Sequence, residues 1–137
     1  MSDINAAMAA AASGMRAQTA RMRIAAENMA NANSTGQTPG SDPYRRRIPV
    51  LQGAELKDED AFGVRLVGAM DDKSDFKLQY IPSHPAANAS GMVKLPNVDS
   101  LIEMMDLREA SRAYEANLSM IEAARAMTSK ALDLLRR

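Results

Sequence analysis

The chain has 137 residues, room for one ordinary core or for one core with an extended arm. Its 17 Lys plus Arg balance 17 Asp plus Glu, so net charge gives no electrostatic case for binding nucleic acid or an anionic membrane. With no Cys and one His, thiol chemistry, disulfides and the common zinc sites fall away, and the apolar content rests on Ala and 11 Met rather than on aromatic rings.

The first third carries one unbroken pattern. Met1, Met8, Met15, Met22 and Met29 recur every seven residues, and Ile4, Ala11, Gln18, Ala25 and Ala32 follow each by three, which predicts a helix with a Met and small-residue seam. Ser2 or Asp3 can cap its start, and the cluster from Asn31 to Gly36 stops it, so the helix is expected from about residue 3 to about 32. At 1.5 Å per residue it measures roughly 45 Å, longer than a domain of this size can cover alone. Gly14 costs helix stability, and its place in a run of small residues points to close approach of a second backbone. The uncharged stretch from Ile4 to Met15 follows Asp3 rather than Lys or Arg, and its register continues past Arg16, Arg21 and Arg23. It therefore reads as mature structure rather than a secretion leader. No apolar run approaches the roughly 18 to 20 residues that span a bilayer.

Gly36 to Pro43 reads as a flexible linker. Beyond it, Ile48, Val50 and Leu51, then Val64, Leu66 and Val67, then Phe76, Leu78 and Tyr80, then Met92, Val93 and Leu95 predict three or four short strands, separated by charged turns at Lys57 to Asp60 and Asp71 to Asp75. So small a sheet needs the helices or neighbouring chains to pack against. In the last third, Leu107, Tyr114, Ile121, Thr128 and Leu135 fall at sevenfold spacing, with Ala110, Asn117, Ala124 and Ala131 three residues after the first four. Leu118 and Leu132 widen this stripe of a second long amphipathic helix. Pro96 stops what precedes it, Ser100 with Glu103 has capping-box spacing, and Arg136 and Arg137 complement the dipole at its end.

Residues that could carry chemistry are sparse. Asp58, Glu59 and Asp60 are consecutive in an expected exposed turn and read as a solvated charge run rather than an acid and base pair. His84 lies in Pro82-Ser-His-Pro85 with no partner for metal or nucleophile, and the flanking prolines point to a rigid turn. The triplet Arg45, Arg46 and Arg47 has no aromatic platform beside it and reads as a rim contact or a solvated strand end. No phosphate loop or dinucleotide fingerprint is present. The chain is expected to have no catalytic residues, no cofactor, no metal and no small-molecule substrate.

Two stretches carry a resemblance. From Ala6 through Ser13-Gly-Met-Arg-Ala-Gln18 to Glu27-Asn-Met-Ala-Asn-Ala-Asn-Ser-Thr-Gly36, the sequence resembles the N-terminal signature of the bacterial flagellar rod and hook axial proteins. Tyr80-Ile-Pro-Ser-His-Pro-Ala-Ala-Asn88, Gly91-Met-Val-Lys-Leu-Pro-Asn-Val98 and Glu103-Met-Met-Asp-Leu-Arg-Glu-Ala-Ser-Arg-Ala-Tyr-Glu-Ala-Asn117 resemble the proximal-rod branch of that family. Ile81 stands where the family usually has Asp, and Met92 where it usually has an aromatic residue.

The resemblance implies a mainly α fold with a small β middle, in which residues 1–35 and 98–137 pair as a coiled-coil-like axial domain around the linker and β-rich segment 36–97. It implies a structural subunit of the proximal rod. Such a subunit polymerises with other rod proteins and with itself, adjoins the membrane-ring and export-gate side of the basal body, crosses the periplasm, and is exported without signal cleavage. The subunit contacts are then expected at Met8, Met15, Met22, Met29, Asn28 and Asn31 on the first helix, and at Leu107, Tyr114, Asn117, Leu118, Ile121, Ala124, Leu132 and Leu135 on the second. Unshared seams would leave the terminal helices partly disordered in a lone subunit, so that ordering accompanies assembly. The rival reading is a soluble helical adaptor or export chaperone holding one partner.

Overall fold

The computed structural model describes residues 2–57 and 61–137. Met1 of the Met column and the run Asp58, Glu59 and Asp60 lie outside the described residues. Helix α1 spans Ser2–Ala30 and helix α2 spans Ser100–Leu135. Between them run β1 (Arg47–Leu56), β2 (Ala61–Asp71), β3 (Lys77–Tyr80) and β4 (Met92–Leu95). The fold is thus mainly helical with a small antiparallel strand region, as the periodicities predict.

Both helices end where local chemistry dictates. The α1 ladder stops at the Asn-rich turn, where the Asn31 side chain donates to the Glu27 carbonyl at 2.9 Å and Ser34 Oγ donates to Asn31 Oδ1 at 3.1 Å. At α2 the N-cap is Asp99, whose carboxylate accepts from the Leu101 N–H at 3.0 Å. This corrects the expected Ser100 and Glu103 capping box. Ser100 is already helical, and Glu103 turns inward because a stronger partner waits there.

The strands form two separate antiparallel hairpins, β1 with β2 and β3 with β4. The first pair is longer than expected, 10 and 11 residues, and carries a bulge between Val50 and Leu51. A two-stranded ribbon is marginal alone, and this one lies against α1. The contact is backbone-close. Ser13 Oγ, buried on α1, accepts from the Val64 N–H at 3.1 Å while donating to the Ala10 carbonyl at 2.7 Å. A Cβ on Gly63 would fall 2.4 Å from that Oγ, so only glycine fits there. Helix α1 thereby satisfies part of the β2 edge, while Pro49 lacks the N–H that would invite another strand onto β1.

Helices α1 and α2 run antiparallel and pack along their length. Gly14 of α1 faces Asn117 of α2, and Asn28 faces Glu103. A Cβ at residue 14 would lie 2.7 Å from Asn117 Nδ2, so the glycine leaves the room that this side chain occupies against α1. Apart from Ile24, the residues buried along this seam are small or polar: Ala11, Ala17, Ala25 and Asn28 on α1, and Glu103, Ala110 and Ala124 on α2.

Candidate functional site

Two features of this fold bear on function, a polar node that ties the helix pair to the strands, and the apolar surface that the helix pair leaves open. The node is built from the basic triplet. Arg46 pairs through Nε with Glu103, which is 1% exposed, and its two terminal nitrogens reach Asp72 at 3.3 Å and Asp106 at 3.4 Å. Burial opposes the Arg46 charge, but the hydrogen bond and charge of Glu103 outweigh it and hold the guanidinium above its ordinary pKa. Arg47 takes its backbone bonds from a side chain of α1: Asn28 Oδ1 accepts from the Arg47 N–H at 3.0 Å, and Asn28 Nδ2 donates to the Arg47 carbonyl at 2.8 Å. The amide of Asn28 serves as a one-residue strand against β1.

Other groups close the node. Tyr44 donates to Asn28 Oδ1 at 2.7 Å, and burial first, then the nearby Glu27, raises its phenol pKa. Asn97 accepts from the Arg46 N–H at 2.7 Å and donates to the Asp72 carbonyl at 3.0 Å. Arg45 lies over the Phe76 ring, 4.1 Å from its centroid, and donates to the Asp72 carbonyl at 2.8 Å. Arg46, with the Arg47 backbone, is therefore an internal staple joining α1, β1, α2 and the turn after β2, which corrects its reading as a rim contact or solvated strand end, while the Arg47 side chain stays exposed beside Glu27. The reason is long-range: the carboxylate partners of Arg46 lie up to 60 positions away.

A cleft of about 290 Å³ opens beside the node between Ile24, Asn28, Arg46, Ile48 and Glu103. Its Arg46 is paired with Glu103 and Asp106, and it holds no nucleophile paired with a base. No grouping of three or more His, Cys, Asp or Glu suited to a metal occurs among the described residues. His84 is structural. Its Nδ1 accepts from the Ala86 N–H at 3.0 Å, which assigns the proton of the neutral ring to Nε2, 3.2 Å from Thr35 Oγ1. The ring pins the loop after α1 to the Pro82–Pro85 turn. Beyond it, Asn88 Oδ1 accepts from the N–H groups of Ser90 and Met92, and Gly91, at φ +77°, lies against the Tyr80 ring, where a Cβ would meet it at 2.7 Å.

The open surface lies mainly on α2. Of the residues expected at subunit contacts, Asn28 and Ala124 are buried within the subunit. Met8, Met15, Met22, Met29, Asn31, Leu107, Tyr114, Asn117 and Ile121 are half-buried, and Leu118, Leu132 and Leu135 are exposed. The Met column flanks the α1 seam because Gly14 and the alanines bring the helices too close for Met at the centre. Sequence reading missed a second column on α2. Glu103, Ala110, Asn117 and Ala124 face α1, whereas Ala113, Met120, Met127 and Leu134, also sevenfold, lie ten residues on and about 80° around the helix. Met120, Met127 and Leu134 are exposed, with Ala116 and Ala123 exposed between them. The signal was there as spacing, diluted by Ala. No helix among the described residues is long and apolar enough to cross a membrane.

Residues 89–134, which include nearly all of α2, match the family described as flagellar basal body rod FlgEFG protein C-terminal. Across 99% of its length the chain is 48% identical to the flagellar basal-body rod protein FlgC of Agrobacterium fabrum, covering 98% of that protein. The chain belongs to the FlgC family of flagellar basal-body rod proteins. FlgC of Salmonella typhimurium and FlgC of Bacillus subtilis are each 38% identical to it, over 90% of this chain and 92% of theirs. As a FlgC-family rod protein it is a structural subunit of the basal body and not an enzyme. The FlgC-like signature residues accordingly serve the fold: Gly14, Asn28, His84, Asn88 and Gly91 each fix a close approach or a turn.

Proposed function

We propose that this chain polymerises through its terminal helices with other rod subunits, and with further copies of itself, into the hollow proximal rod that transmits torque. The supporting observation is the apolar face of α2, where Met120, Met127, Leu132, Leu134 and Leu135 are all at least half exposed although the helix is otherwise packed on α1. Residues 1–35 and 98–137 act as one axial unit, paired with coiled-coil-like interdigitation, and 36–97 as the small β-rich middle. Within it, Asn28 and Ala124 hold the hairpin of helices, and the half-buried and exposed members of the expected set make the contacts to neighbours. The subunit lies next to the membrane-ring and export-gate side of the basal body, in the part of the rod that crosses the periplasm, and reaches it without signal cleavage. A seam rich in Met suits contacts with several different rod proteins, since the side chain is unbranched and adaptable.

Quantitative mass spectrometry of washed basal bodies tests this reading, with Ile121→Asp as the perturbation. A fixed small copy number, lost in the variant, is the expected result, because an unpaired buried carboxylate costs several kcal/mol per contact, on the order of 3. Absence of the parent chain from basal bodies, with the protein held in a soluble cytoplasmic complex, would support the adaptor reading instead.

A further inference from the structure

Among the described residues five methionines are more than half exposed: Met70, Met104, Met105, Met120 and Met127. Their surroundings differ. Met104 and Met105 line surface grooves with Arg108 and Arg112, guanidinium groups that can donate hydrogen bonds to an added oxygen. Met120 and Met127 stand in the second sevenfold column, where their neighbours at helical spacing are mostly alanines, Ala113, Ala116, Ala123, Ala124 and Ala131, with Asn117 and Lys130 the polar exceptions. Oxygen placed on either sulfur would sit on a face made mostly of alanine methyls.

We propose that Met120 and Met127 are an oxidation site that controls whether α2 can enter the rod, an inference that rests on the assembly reading above. The oxidant is a peroxide or hypohalous acid. With peroxide, a sulfur lone pair forms the new S–O bond, the O–O bond breaks, and water leaves, so the thioether loses two electrons and the peroxide gains them. The product is a polar sulfoxide on an otherwise apolar contact face, where a subunit packing on it must desolvate the new oxygen. A methionine sulfoxide reductase reverses the change. The free subunit is the vulnerable form, since packing of the column against a neighbour closes access to both sulfurs.

Peptide-mapping mass spectrometry of the purified full-length chain exposed to hydrogen peroxide is the first test. Met120 and Met127 are expected to oxidise several-fold faster than the half-buried Met8, Met15, Met22 and Met29, and equal rates would overturn the proposal. The second test uses cells in which each variant replaces the parent. Met120→Gln with Met127→Gln, which mimics the sulfoxide's polarity, should leave circular dichroism and urea stability as in the parent while lowering copies per basal body several-fold. Met120→Leu with Met127→Leu should keep its copy number through a peroxide pulse, whereas Met104→Leu with Met105→Leu should lose it as the parent does. If the Gln variant enters basal bodies at the parent's copy number, the oxidation control is refuted and the rod reading stands. If the parent chain itself is absent from basal bodies, the rod reading falls and takes the control with it.

Discussion

Gly14→Ala has a sign that only the helix packing determines. In an isolated helix the change gains about 1 kcal/mol, because Ala loses less backbone entropy. Here the new Cβ would stand 2.7 Å from Asn117 Nδ2 and 3.1 Å from its Cγ, where carbon and its neighbours prefer about 3.5 to 4 Å. Asn117 is half-buried between the helices, so either its rotamer or the helix spacing must give, at a cost of about 2 to 3 kcal/mol. The net expectation is a loss of about 1 to 2 kcal/mol, read as a lower urea midpoint by far-ultraviolet circular dichroism. In an Asn117→Ala background the overlap is gone, and the same Gly14→Ala step should stabilise by about 1 kcal/mol. The double-mutant cycle should therefore report a coupling of about 2 to 3 kcal/mol with a change of sign between backgrounds. Stabilisation in both backgrounds would refute the close approach of α1 to α2 at this point.

Glu103→Ala should cost about 2 to 3 kcal/mol, less than a wholly orphaned buried charge, because Asp72 and Asp106 still face Arg46, and Glu103→Gln about 1 to 2 kcal/mol; urea midpoints check both. Equal stability of the parent and the Ala variant would remove the node from the account of folding. Asp72 supplies a pH dependence. Hydrogen bonds from Ser74, backbone first, and then the Arg46 pair hold its carboxyl below the usual 3.8, so its contribution is present above pH 3.8 and is lost as the pH falls through the lowered value. Asp72→Asn should flatten that acid limb of the stability profile, and an unchanged limb would assign the acid sensitivity to other carboxylates. Hydrogen exchange should show slow amides around Ala110 and Asn117 and fast ones beyond Ala124, where α2 has no buried residue. Uniform protection along α2 would contradict a distal segment that waits for assembly.

Much of this architecture was legible in the sequence because its signals are local. Sevenfold spacing in the terminal thirds located both helices, and the apolar clusters between Ile48 and Leu95 pointed to three or four short strands where the structure has four. Contacts between distant residues were hidden. Nothing near Arg46 announces that Glu103, 57 positions away, is its partner, and the capping-box spacing of Glu103 pointed to a different role. The Met column was visible but its place was not, since the centre of a seam goes to whatever lets two backbones approach, here Gly14 and the alanines. The second column escaped because Ala dilutes an apolar stripe. The resemblance to the rod and hook proteins reached the family from signature residues whose local reasons, such as the Asn88 turn and the Asn28 bridge to β1, emerged only from the fold.

Along a straight helix the inward column of α2 turns away from its partner. A helix repeats every 3.6 residues, so positions seven apart retreat about 20° around the axis with each step. From Glu103 to Ala124 the drift reaches about 60°, and one step further, at Ala131, about 80°, nearly a quarter turn away from where the column began. Burial stops at the same place: Ala124 is enclosed and Ala131 is not. The register of the pair sets the same limit: with Asn28 opposite Glu103 and Gly14 opposite Asn117, α1 begins opposite about residue 129, and the last turns of α2 overhang it, presented to whatever stands beside them.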